Sequence, residues 1–113
     1  MDNPRFRLIY DIGCICCARF QWFKPCQIHH LNLDEHAGQK RLGDDHTIGL
    51  CPWHHQGQPL AGLTAKECLM LVGPSMALEP VKFRASFGSD EQLLAFQNHL
   101  IERHERLKVG RRA

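Results

Sequence analysis

A chain of 113 residues has room for one domain around one modest core, and its 43% apolar content is ordinary for a globular protein. No secretory segment opens it and no run approaches the roughly 20 apolar residues that span a bilayer, which excludes the membrane and makes the cytoplasm the expected compartment. A formal charge of +2 is too small to announce nucleic-acid binding by itself. The unusual counts are eight histidines and six cysteines, most of both between Cys14 and His55. In a reducing compartment, clustered cysteines more often bind metal than form disulfides.

In chain order, Phe6 to Ile12 mixes apolar and charged residues as a first strand would. Gly13 opens a cysteine knuckle, Cys14-Ile15-Cys16-Cys17. Gln27 to Leu31 reads as a strand ending in His29-His30, and Asn32 to Asp45 has the Gly, Asp, Lys and Arg content of a long loop. His46 to Leu50 is a return strand. Pro52 suits the first turn of a helix that holds His54-His55 and ends at Gly57 to Pro59. Thr64 to Glu67 is a capping box for a helix through Leu71, stopped by Gly73-Pro74. Pro80 to Phe87 forms another helix, capped by Gly88. Ser89 to Gln92 is a second capping box, opening an amphipathic helix with Leu93, Phe96, Leu100 and Leu107 on one stripe and an end near Gly110. The expected class is α+β. One domain spans 1–113, with a knuckle-and-hairpin core over 13–57 and a helical extension over 64–110.

Cys14-x-x-Cys17 and Cys51-x-x-His54 supply three thiolates and an imidazole, the donor set of a closed structural zinc site. On a helix, Cys51 and His54 share a face because they are three apart, and Trp53 points elsewhere. Cys16 and Cys26 stay open as replacements for an assigned ligand, and Cys68 lies in an apolar helical run as a core residue. The competing reading makes all of these buried free cysteines that pack as small hydrophobes.

Adjacent histidines cannot readily serve one metal. On a helix, His54 and His55 point about 100° apart, and in a strand His29 and His30 leave opposite faces. Each pair therefore divides its labour. If His54 closes the zinc site, the histidines left over on elements that zinc holds together can bind a second, open metal of the kind that polarises a phosphate. A further histidine titrating near neutrality suits proton abstraction from water.

Cys14-x-x-Cys17, Pro25-Cys26-Gln27-Ile28-His29-His30-Leu31 and His46-Thr47-Ile48-Gly49-Leu50-Cys51-Pro52-Trp53-His54-His55 together resemble the zinc-containing HNH (His-Me finger) endonucleases. More narrowly, they are similar to the phage recombination-enhancement (Ref-type, RecA-dependent) nucleases, over Gly13 to about Leu100. The resemblance implies a zinc-braced ββα-metal module followed by C-terminal helices. It assigns His29 and His55 to the catalytic metal and His30 to the general base. His46 stands where the family commonly has Asn, with a role in orienting His30 or in contacting metal or DNA. Members can carry a long basic N-terminal segment, whereas here the knuckle follows only a dozen residues, so dependence on RecA is not carried over.

The activity so implied is hydrolysis of a DNA phosphodiester in phage or prophage recombination, in the host cytoplasm. Mg²⁺ or Mn²⁺ would be the catalytic ion, with Ni²⁺ or Zn²⁺ as substitutes because imidazole is softer than Mg²⁺ prefers. Lys40 and Arg41 are candidate DNA contacts, as are the basic residues of the tail (Arg103, Arg106, Lys108, Arg111 and Arg112), and recombinase-coated DNA is a candidate partner. Two other classes compete. One is a non-catalytic zinc module that binds nucleic acid or protein. The other is a zinc hydrolase of small molecules, for which Asp34, Glu35, Asp44 and Asp45 are available but no H-E-x-x-H helix exists.

Overall fold

The computed structural model describes residues 3–31 and 43–112, with side chains described as far as Lys108. Among them are one two-stranded antiparallel sheet and six helices. Among the described residues no helix is long and apolar enough to cross a membrane.

The chain opens on helix α1 (Pro4–Ile12), not on the expected strand. Asn3 caps it, its side chain accepting from the Arg5 and Phe6 backbone N–H groups at 2.9 and 3.2 Å, and Pro4 fills the first turn. Those two residues outweigh the apparent alternation after them. Ile9 is buried and Gly13 ends the helix at φ +83°. A single turn, α2 (Ile15–Ala18), follows, and then β1 (Gln27–His30).

β1 pairs with β2 (Thr47–Leu50) in the register Gln27↔Leu50, Ile28↔Gly49, His29↔Ile48 and His30↔Thr47. All four β2 residues are buried. Gly49 has to be glycine: a Cβ there would lie 2.7 Å from the Ile9 side chain and 2.8 Å from Cys26 Sγ. The Gly49 N–H donates to Gln97 Oε1 at 2.8 Å, which ties the sheet to the last helix. Arg5 makes a second tie, donating to Thr47 Oγ1, Thr47 O and Asn98 Oδ1 at 3.1, 2.7 and 2.8 Å.

Helix α3 (Pro52–Gln56) begins directly after β2 and stops at Gly57, as its Pro and Gly predict. Its Trp53 Nε1 donates to Gly73 O at 2.9 Å, and its His54 O accepts from Met76 N at 2.9 Å. α3 is thereby pinned to the far end of α4 (Ala65–Val72), whose Thr64–Glu67 capping box is present as expected. α5 (Pro80–Phe87) brings Phe83 and Phe87 against His54, with ring centroids at 6.3 and 5.2 Å.

Helix α6 (Asp90–Arg112) starts from the reciprocal Ser89–Gln92 bonds. Its expected stripe needs correction. Leu93 is buried and Phe96 and Leu100 are partly buried, but Leu107 is exposed; the inward face continues instead through Gln97 and Ile101. Cys68 is fully buried, as its apolar surroundings predict.

Candidate metal and nuclease site

The two knuckles are built alike. Cys14 caps α2, its Sγ accepting from Cys17 N at 3.4 Å, and Cys51 caps α3, its Sγ accepting from His54 N at 3.5 Å. In each, the capping sulfur and the side chain three residues on face the same point. Cys14, Cys17, Cys51 and His54, all buried, bring their ligand atoms within 4.8 Å of one another. His54 Nδ1 lies 3.4, 3.6 and 3.3 Å from the sulfurs of Cys14, Cys17 and Cys51, and Cys17 Sγ lies 3.7 Å from Cys51 Sγ. A tetrahedral zinc with ordinary bond lengths requires edges of about 3.6 Å between N and S and about 3.8 Å between sulfurs. The residues fit the ion.

The protonation pattern agrees. His54 Nε2 donates to Val72 O at 2.7 Å, which fixes the ring and turns Nδ1 toward the sulfurs. Burial opposes charge on His54, yet its bonds to Cys14 and Cys51 outweigh burial and raise its pKa to about 10. Burial also opposes ionisation of Cys14, but hydrogen bonds from Cys16, Cys17, Cys51 and His54 hold its thiol far below the usual range. Cys17 is pushed far up by its bonds to Cys14 and Cys51. Thiols this close compete for one negative charge, and a cation at their centre would relieve the competition.

Neither open alternative joins the group. Cys16 is buried outside it, its thiol driven up mainly by burial. Cys26 packs beside Gly49 and donates to Ile9 O at 3.5 Å.

A second constellation lies at the junction of β1 and α3. The rings of His29 and His55 meet edge to face with centroids 5.0 Å apart. Burial, followed by the charges of His55, His30 and Arg84, lowers the His29 pKa to about 4; burial lowers that of His55. Both imidazoles are therefore neutral at pH 7, the form that binds metals. His55 Nδ1 donates to Gln27 Oε1 at 2.7 Å, leaving the lone pair on Nε2.

His30 leaves β1 on the other side, as strand alternation requires. Its ring sits edge-on to Phe6 at 6.2 Å, and its Nε2 lies 3.2 Å from Asp44 Oδ1. Asp44 Oδ2 in turn accepts from Asn3 Nδ2 at 3.3 Å. His46 closes the hairpin through its backbone, its carbonyl accepting from Leu31 N at 2.9 Å and its N–H donating to Gly43 O at 3.0 Å. Its Nδ1 is buried without a hydrogen bond among the described residues, and the side chain beside His30 is Asp44. Lys40, Arg41, Asp34 and Glu35 lie outside the described residues, as do the side chains of Arg111 and Arg112. Arg103, Arg106 and Lys108 are exposed, and Lys108 approaches Asp11 at 3.4 Å.

Sequence reasoning missed two contributors, Gln27 behind His55 and Arg84, whose charge lowers the His29 pKa, and it named Asp44, which lies beside His30, only for the competing zinc hydrolase. Gln27 carried one signal, since in β1 it is two residues before His29 and so on the same face.

No curated protein and no solved structure matches the chain. A family model described as recombination enhancement, RecA-dependent nuclease matches residues 2–102, nearly the whole length. The chain accordingly belongs to the recombination-enhancement, RecA-dependent nuclease family.

Proposed function

We propose that the chain is an endonuclease of the HNH type, with β1, β2 and α3 as its ββα-metal core and His30 as general base. Membership of the family makes it a nuclease of recombination and makes nucleic acid its substrate. The observation that carries the finer reading is the separation of the histidines into three environments. His54 belongs to the Cys₃His cluster, His29 and His55 face each other as neutral imidazoles, and His30 stands apart with Asp44.

In this reading the Cys₃His cluster holds a structural zinc that fixes α3 against the hairpin. His29 and His55 would hold Mg²⁺ or Mn²⁺, which when bound supplies Lewis-acid stabilisation of charge on the phosphate. Their low pKa values keep both lone pairs available, and Gln27 sets the His55 tautomer. His30 takes a proton from water as its oxygen attacks phosphorus, the P–O3′ bond breaks, and the departing 3′ oxygen takes a proton from solvent; Asp44 steadies the resulting imidazolium. His46 shapes the hairpin end that carries His30. The family description ties its members to RecA, and recombinase-coated DNA is the substrate form to test first.

The test is nicking of supercoiled plasmid DNA with Mg²⁺ or Mn²⁺. Wild type is expected to nick, and His30→Ala to lose about a hundredfold or more of the rate while retaining its zinc. Equal nicking by both would remove His30 from the chemistry. One tight metal per chain with no activity in the presence of recombinase filaments would favour the non-catalytic zinc module.

A further inference from the structure

The start of α1 lies outside β1, β2 and α3, yet three of its residues converge on His30 and Asp44. The Phe6 ring stands edge-on to His30, at 88° and 6.2 Å between centroids. Arg5 donates to Thr47, which faces His30 across the hairpin, and the Thr47 hydroxyl donates to the Asp44 carbonyl at 2.7 Å. Asn3 donates from Nδ2 to Asp44 Oδ2 at 3.3 Å, across 41 residues of chain. The Asp44 backbone and carboxylate are thus each tied to α1, and the remaining carboxylate oxygen, Oδ1, meets His30 Nε2.

Asn3 has two tasks, and its amide divides them. Oδ1 accepts from the Arg5 and Phe6 N–H groups and caps the helix, while Nδ2 reaches Asp44. Capping by itself does not call for asparagine, since aspartate and serine cap as well. Of these three, asparagine alone has an acceptor and a donor on separate atoms.

Asp44 in turn decides what His30 offers to water. A carboxylate only accepts, so the ring nitrogen facing it, Nε2, carries the proton, and Nδ1 keeps the lone pair. The Asp44 side chain is 59% exposed, and one so open samples several rotamers unless a partner holds it. We propose that Asn3 is a positioning residue for DNA hydrolysis: by holding Asp44 it fixes the direction and the tautomer of His30. The proposal rests on the nuclease reading and deepens it, because it makes the first helix a part of the cutting centre.

The experiment follows nicking of supercoiled plasmid by the full chain with Mn²⁺, for Asn3→Asp and Asn3→Ser, each alone and combined with His30→Ala. Both substitutes cap a helix and neither has the amide donor, so the urea midpoint is expected to stay close to that of wild type. In both, kcat should fall about tenfold, while the DNA and Mn²⁺ concentrations giving half-maximal rate stay unchanged. In the His30→Ala background neither should lower the residual rate further, since Asn3 acts through the ring that is gone. A wild-type kcat in either variant overturns the proposal. So does a further loss on top of His30→Ala, or a loss of rate that follows a falling urea midpoint. A wild-type chain that nicks nothing overturns the nuclease reading and this proposal with it, whereas a nicking wild type indifferent to Asn3 overturns the proposal alone.

Discussion

At the residue scale, the division of the two histidine pairs is set by side-chain direction. Periodicity of helix and strand predicts that neighbours diverge, and they do: His54 goes to the sulfurs, His55 to His29, and His30 to Asp44. What fixes each ring is a partner from elsewhere in the chain. Val72 O is 18 residues from His54, and Gln27 is 28 residues from His55. Gln27→Leu should remove the acceptor that sets the His55 tautomer. The Mn²⁺ concentration giving half-maximal nicking is then expected to rise about 10- to 100-fold, with the rate at saturating metal largely restored and zinc content unchanged. A loss of rate that excess Mn²⁺ does not rescue would assign Gln27 to the fold instead. Such partnerships are not legible in sequence, because a spacing of 28 residues carries no periodic signal; Gln27 showed only that it shares the His29 face of β1. The four residues of the Cys₃His cluster were legible as a group, because two short spacings declare them.

At the scale of elements, the helices were readable where Pro, Gly and capping boxes punctuate them, as at Pro52, Gly57, Thr64–Glu67 and Ser89–Gln92. α1 was misread because Phe6, Leu8 and Tyr10 imitate an alternating strand, while the deciding signal, an Asn cap before Pro4, precedes the apolar run. The end of α6 was misread on its face as well: Gln97 is buried because the Gly49 N–H needs an acceptor there. Gly49 is the point where β2, α1 and the segment before β1 crowd together. Gly49→Ala drives a methyl against Ile9, Cys26 and the Gly13 carbonyl, and the chain should lose about 1–3 kcal/mol. The measurement is the urea midpoint of zinc-loaded protein; an unchanged midpoint would show that the three neighbours can move apart.

For the whole molecule, the Cys₃His cluster joins segments 34 to 40 residues apart, since Cys17 meets Cys51 and Cys14 meets His54. The buried core surrounds that cluster, with Ile15, Leu50, Trp53, Val72, Phe83 and Phe87 all contributing. Structural zinc sites in small domains contribute on the order of 10 kcal/mol or more to folding, which is as large as the stability of a typical domain. A strong zinc chelator should therefore abolish the cooperative thermal transition and near-ultraviolet dichroism together, and added zinc should restore both. Retention of a sharp transition after complete zinc removal would show that the apolar core suffices.

The adjacency of His54 and His55 on one turn of α3 has a further consequence under the proposed roles. The last ligand of the brace and the last ligand of the cutting centre are delivered by the same step of folding. On those roles, a newly made chain that has not captured zinc would not present His55 to His29, and its cutting centre would stay incomplete until the brace is closed.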